Sequence, residues 1–128
     1  MNNLLSQAIS NIKVAYVNKH DYAFVPRSNL ILSCLDRLYK LGYINQFKLV
    51  SNYKVVVFLK YHNQGPVVRD LKLVSKQSRR QFYKVIHLRN RIGTNYQGFL
   101  LLSTDSGIMT DQECIFENKG GEPLFWVY

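Results

Sequence analysis

The chain has 128 residues, of which 47% are hydrophobic and 20% charged, with a formal net charge of +9. That length suits one domain or two small ones, and the composition is too apolar for a disordered tail. A pI near 9.7 asks for an anionic partner, nucleic acid first and an acidic membrane surface second.

Leu4, Leu5, Ala8, Ile9, Ile12, Ala15 and Tyr16 recur at helical spacing and predict an amphipathic first helix. Tyr22 to Val25 reads as a short strand that Pro26 ends. Ser28 is a good N-cap for a second helix, with Ile31, Cys34, Leu35, Leu38 and Tyr39 on its apolar face and Gly42 as its stop. Tyr43–Val50 and Tyr53–Tyr61 pair as a hairpin across Ser51-Asn52. Gln64-Gly65-Pro66 breaks the pattern and sets a boundary between domains at 1–63 and 64–128. Beyond it the sequence predicts a strand at Val67–Val74, a basic turn, a strand near Phe82–Val85 and a loop through Gly93–Gly98. A strand at Phe99–Leu102, a short helix from Asp111 and a terminal strand at Leu124–Tyr128 complete the chain. In the terminal strand Phe125 and Trp126 point opposite ways, one buried and the other half exposed. The fold class is therefore α+β. Its N-terminal α/β half sets two helices on a three-stranded sheet, and its C-terminal half is mainly β with one short helix.

Charge is unevenly placed. Residues 1–59 carry seven Lys/Arg against two acids, whereas residues 60–91 carry nine against Asp70 alone. From residue 92 onward Lys119 faces five acids. A solvated surface usually mixes signs, so the block from Lys60 to Arg91 reads as an electrostatic footprint for phosphates. Five of its nine cations are Arg and aromatic residues lie among them, which favours recognition over mere solubility. Within it Lys76, Arg79, Arg80 and Lys84 are candidates for phosphate contact, and Tyr83 for stacking on an unpaired base.

No catalytic constellation is visible. His20, His62 and His87 fall in unrelated elements without metal spacing, and no glycine loop is followed by a phosphate-binding Lys. Cys34 and Cys114 have neither metal nor redox spacing and read as buried small hydrophobes in a reduced, intracellular protein. No apolar run approaches the roughly 18 residues of a membrane span, and a signal-peptide core is not expected. The reading is a non-enzyme with no cofactor, no metal, no membrane and no small-molecule substrate.

The most specific stretch is Ser103-Thr104-Asp105-Ser106-Gly107-Ile108-Met109-Thr110-Asp111, directly after the apolar run Phe99–Leu102. Small hydroxylated residues at a strand end leave short donor-acceptors for a partner, and a glycine lets another backbone approach. Thr110-Asp111-Gln112-Glu113 has capping-box spacing, which accounts for two of the three nearby carboxylates. Read on local physics alone, this is a plain strand-turn-helix corner. Its order of residues, however, closely resembles the signature of small-subunit ribosomal protein eight in its bacterial and organellar form. That signature runs Ser-Thr-Ser-x-Gly-Ile/Val-Met-Thr/Ser, with a Gly-Gly-Glu before an apolar terminal strand, here Gly120-Gly121-Glu122. Pro26-Arg27-Ser28-Asn29-Leu30 and Val74-Ser75-Lys76 through Arg80 and Phe82-Tyr83 match further family stretches, so the resemblance covers nearly the whole chain.

The resemblance implies a structural protein that binds the central domain of small-subunit rRNA and supports subunit assembly and translation. Neighbouring small-subunit proteins, protein five among them, are its implied partners. By position it assigns rRNA contact to Ser103, Thr104, Ser106, Gly107 and Glu122, and a second phosphate-directed contact in the N-terminal half to Lys13. Asp105 stands where the family has serine, and it is open whether it turns away, accepts from a base amine or pairs with an Arg. Gln77-Ser78 replaces a family Pro-Gly turn. The alternative function is a free translational regulator that recognises an rRNA-like messenger hairpin. Phe, Tyr, Ile, Met, Asn and Lys total 47 residues against 20 for Gly, Ala, Arg and Pro, the bias of an AT-rich gene. A mitochondrial ribosome is the expected location, with a bacterial cytoplasm as the alternative.

Overall fold

The computed structural model describes residues 3–63, 65–74, 81–92 and 98–128. They form two compact units, residues 1–69 and 70–128.

In the first unit α1 (Asn3–Val17) turns Leu5, Ala8, Ile9, Ile12, Ala15 and Tyr16 inward, while Leu4 lies at the stripe's margin and is exposed. It packs on β1 (Tyr22–Pro26). Next comes α2 (Asn29–Lys40), capped as expected: the Ser28 hydroxyl accepts the Ile31 N–H at 3.1 Å. Ile31, Cys34, Leu35 and Leu38 form its buried stripe, whereas Tyr39 stays exposed. The helix stops at Gly42, whose φ of +86° a side chain would resist. β2 (Ile44–Leu49) and β3 (Lys54–Leu59) make the expected hairpin, and the sheet order is β1-β3-β2, all antiparallel. Its helix side buries Ala23, Val25, Val55, Val57 and Leu59. β3 ends before Tyr61, whose hydroxyl donates to the His20 carbonyl at 2.6 Å. Around the expected break, β4 (Tyr61–His62) and β5 (Gly65–Pro66) form a two-residue ladder, a small element the Gly-Pro punctuation concealed.

The second unit is a four-stranded antiparallel sheet in the order β6-β9-β7-β8. Its strands are β6 (Leu71–Leu73), β7 (Phe99–Thr104), β8 (Gly107–Thr110) and β9 (Glu122–Val127), with helices α3 (Val85–Ile92) and α4 (Asp111–Glu117). Leu88, Leu100, Leu102, Met109 and Cys114 are the core where these helices meet the sheet, with Val74, Tyr83, Ile115 and Trp126 packed around it. Phe125 is buried and Trp126 only partly so, as strand alternation requires.

Three expectations are corrected here. The strand at Val67–Val74 shrinks to Leu71–Leu73, because Val67 belongs to the first unit, where it donates its N–H to the Lys60 carbonyl, and is not in the ladder. In place of a strand at Phe82–Val85, Tyr83 makes one isolated bridge and helix α3 begins at Val85. The helix start has an unusual cap: the Lys84 N–H donates to His87 Nδ1 at 3.1 Å, histidine acting where Glu or Gln usually stands. The strand predicted to end at Leu102 continues to Thr104 and returns as β8, so the signature stretch is a hairpin before it is a helix start.

Candidate nucleic-acid interface

The β7–β8 turn is built by its own hydroxyls. Thr104 and Gly107 face each other as the last ladder pair, with Asp105 and Ser106 at the tip. The Thr104 hydroxyl accepts the Ser106 N–H at 3.1 Å and donates to the Gly107 carbonyl at 2.8 Å, with Met109 Sδ also 3.2 Å away. Its one proton and one lone pair are thus committed within the turn. Gly107 sits at φ +104° with open space around it, so conformation and not crowding calls for glycine. Ser106 Oγ receives the ammonium of Lys119. Asp105 is exposed at the tip and pairs with no described cation. Ser103 stands opposite Ile108 on one side and Glu122 on the other, a half-buried hydroxyl beside a half-buried carboxylate.

Gly120 and Gly121 hold a second segment against this turn. A Cβ on Gly121 would lie 2.6 Å from the Ser103 carbonyl oxygen and 2.9 Å from Thr104 Cγ2. One on Gly120 would lie 2.6 Å from the Tyr83 carbonyl oxygen, 3.0 Å from the Phe82 ring and 3.3 Å from the Lys84 Cα. The Tyr83 N–H donates to the Gly121 carbonyl at 2.8 Å and the Gly121 N–H to the Tyr83 carbonyl at 3.0 Å. Two adjacent residues without side chains therefore clamp the hydroxyl-rich turn and the aromatic-basic segment 82–84 to the same strand end. The helix α4 that follows β8 is fixed by the expected capping box. Thr110 Oγ1 accepts the Glu113 N–H at 3.2 Å, and Glu113 Oε1 accepts the Thr110 N–H at 2.9 Å. Asp111, only 2% exposed, accepts the Gln112 N–H at 2.9 Å. These carboxylates organise a helix terminus, and among the described residues no acidic or Cys/His group could hold a metal.

Of the residues singled out in the sequence, Ser103, Thr104, Ser106, Gly107, Glu122, Tyr83 and Lys84 come together in the second unit. Lys13 lies exposed on α1 of the first unit. Lys76, Arg79 and Arg80 lie outside the described residues; nearby, Val74 donates its N–H to the Leu124 carbonyl and Tyr83 is bridged to Gly121. Tyr83 is half-buried against the core, its ring edge-on to His87 at 6.3 Å. Phe82, 64% exposed, is the freer stacking surface, and with Lys119 it is a member of the cluster that sequence reasoning left out. Lys119 had a signal, being the one cation after residue 92 and standing directly before the glycine pair. Both cysteines are buried and unpaired; burial pushes Cys34 up to about 12 and Cys114 up to about 11, where the charges of Asp111 and Glu117 add to it. At neutral pH neither is a thiolate nucleophile. No described helix is long and apolar enough to cross a membrane.

Comparison with known proteins finds relatives that match along nearly the whole chain. Residues 3–128 match the family described as Ribosomal protein S8. The chain is 40% identical to small ribosomal subunit protein uS8m of Acanthamoeba castellanii, covering 94% of this chain and 95% of that one. It is 32% identical to small ribosomal subunit protein uS8 of Dictyoglomus thermophilum, over 97% and 95% of the two chains. With the uS8 of a Caulobacter species it shares 35% identity over 100% and 98% of the two. On its motifs, its fold and this end-to-end match, the chain belongs to the ribosomal protein S8 family, a family of ribosomal structural proteins and not of enzymes.

Proposed function

We propose that this protein is a constituent of the small ribosomal subunit that binds the central domain of small-subunit rRNA through the β7–β8 turn and thereby supports subunit assembly and translation. One observation carries the reading: the Gly120-Gly121 pair brings the Ser103–Gly107 turn, Glu122, Lys119, the exposed Phe82 ring and Lys84 to one end of one sheet. Half-buried and exposed hydroxyls suit 2′-OH groups and base edges, and Phe82 offers a ring face. The basic stretch that includes Lys76, Arg79 and Arg80 supplies phosphate contacts in this reading, on its charge in the sequence. Lys13 supplies a separate phosphate contact from the first unit. The ribosome supplies its protein neighbours, with protein five the proposed contact. A mitochondrial ribosome is the proposed location, supported by the uS8m relative and by the AT-type residue bias.

The test replaces Ser103 and Ser106 by alanine and leaves Thr104 in place, because Thr104 holds the turn. Affinity for the cognate rRNA helix should fall by about 1–3 kcal/mol while a scrambled RNA binds as before. Equal loss on both RNAs, or loss on neither, would remove the turn from the interface. Sedimentation of the tagged protein with small subunits tests the ribosomal assignment separately.

A further inference from the structure

The face of the first unit's sheet that its helices leave open has a composition that solvent alone does not explain. An antiparallel sheet with one wet face normally alternates apolar-in and polar-out. Here the outward positions form three rows fixed by the strand register. Tyr22 lies beside Phe58 and Gln46, Phe24 beside Val56 and Lys48, and Pro26 beside Lys54. Tyr22 is 48% and Phe24 44% exposed, Phe58 is half-buried, and Val56 lies between Phe24 and Lys48. The Tyr22 and Phe24 rings meet edge-on at 5.4 Å, and the Lys54 ammonium sits 5.0 Å over the Phe24 ring.

Charge decides what this face fits. Its cations are Lys48 and Lys54, and none of its positions carries a carboxylate. The first unit has two acids, Asp21 just before β1 and Asp36, which is 3.1 Å from Lys40 on α2. An apolar partner would leave both ammonium groups covered and unmatched, whereas an anion alone would make no use of the rings. A chain that alternates planar apolar faces with negative charge meets both needs. We propose that this open sheet face binds unpaired RNA nucleotides, with bases stacked on Tyr22 and Phe24 and phosphates held by Lys48 and Lys54. The Phe24 ring face that Lys54 covers becomes a base platform when a phosphate draws the ammonium aside. The surface uses no residue of the β7–β8 turn and stands independently of the function assigned to that turn.

The test uses the full chain, fluorescent decauridylate as the single strand and the cognate rRNA helix as the structured RNA. Tyr22→Leu with Phe24→Leu keeps apolar bulk but removes the stacking faces, so decauridylate should bind about tenfold more weakly while the structured RNA is held within about twofold. Lys48→Gln with Lys54→Gln should reduce the log-log salt slope for decauridylate by about one to one and a half. Replacing Ser103 and Ser106 by alanine should leave decauridylate binding unchanged, so that failure at either surface is read separately. The proposal is overturned if the leucine variant, melting like the wild type, keeps its decauridylate affinity. An unchanged salt slope in the glutamine variant overturns it too, even where the leucine variant fails to fold. So does displacement of decauridylate by polyglutamate with equal potency on wild type and leucine variant, which would mark the face as a dock for acidic protein.

Discussion

Replacing Gly121 by alanine isolates the contact on which the whole second-unit site depends. Gly121 has no positive φ to defend, so the substitution introduces no backbone strain, only volume. The new methyl would lie 2.6 Å from the Ser103 carbonyl oxygen and 3.2 Å from the Ser103 carbonyl carbon, distances at which one strand must move away from the other. Ordinary contact begins near 3.4 Å, so the β9 end must shift by most of an ångström at the Ser103–Glu122 pair. Overpacking of this kind costs about 1–3 kcal/mol, which for a chain of this size lowers Tm by roughly 6–12 °C at the middle of that range. Because the same residue exchanges two hydrogen bonds with Tyr83, binding of cognate rRNA should fall along with stability. Thr104→Ser in the same chain removes the methyl 2.9 Å away but not the carbonyl, and so should restore only a minor part. Gly107→Ala is the converse control: nothing lies within 4 Å of its Cβ, and the cost, about 1–2 kcal/mol, comes from φ +104° alone. Differential scanning calorimetry of the three variants beside the wild type decides the matter. A Gly121→Ala melt within about half a kcal/mol of wild type would show that the two segments are not held as described.

Thr110→Ala breaks the reciprocal cap of α4 and should lower stability by about 1 kcal/mol, whereas Thr110→Ser should restore it in a urea titration. The buried thiols make stability fall at high pH. Their folded values of about 12 for Cys34 and about 11 for Cys114 lie above the ordinary 9.0, so the folded chain holds protons the unfolded chain releases. The contribution is complete below pH 9 and is lost as pH rises toward 11 to 12, by up to about 1.4 kcal/mol per pH unit and group, a slope that Cys34→Ala with Cys114→Ala should flatten. Replacing Arg79 and Arg80 by glutamine should reduce the log-log salt slope of rRNA binding by about one to two, and an unchanged slope would place both outside the interface.

What the sequence disclosed follows from how local each signal is. Ser28, the 31-34-35-38 stripe and Gly42 are all short-range statements about one helix, and the structure carries each of them. The capping box at Thr110 and Glu113 was equally readable, because both of its hydrogen bonds close within four residues. The hairpin β7–β8 was not, since its returning strand, Gly107–Thr110, is too short to show alternation and ends on a helix cap. Helix α3 was hidden for another reason. Val85, Ile86 and Ile92 favour strands, and its N-cap partner is a histidine with no place in the usual signature. The convergence of Tyr83 with Gly121 depends on a backbone bridge between residues far apart in the chain, which no spacing rule encodes. Resemblance to a family identified the turn residues, but it took the structure to divide them. Thr104 is occupied in forming the turn, Ser106 is tied to Lys119, and Ser103 stands beside Glu122.

That division bears on how the proposed interface would discriminate between RNAs. From residue 92 onward the chain has one cation against five acids, so the turn lies in the part of the sequence least able to attract phosphate. Asp105, exposed at the tip, sharpens the point, for a turn meant to grip backbone phosphates would not present a carboxylate there. In the proposed interface, attraction would then come from the block between Lys60 and Arg91, whose Lys84 adjoins the bridge to Gly121. Non-specific RNA can satisfy those cations anywhere along its length. On the same reading, only an RNA whose groove also accepts the turn would gain the hydroxyl contacts. In the proposed interface, charge on one segment and shape on another would thus separate affinity from selectivity. On the proposed reading, a carboxylate at the tip would disfavour any RNA that sets a phosphate against it.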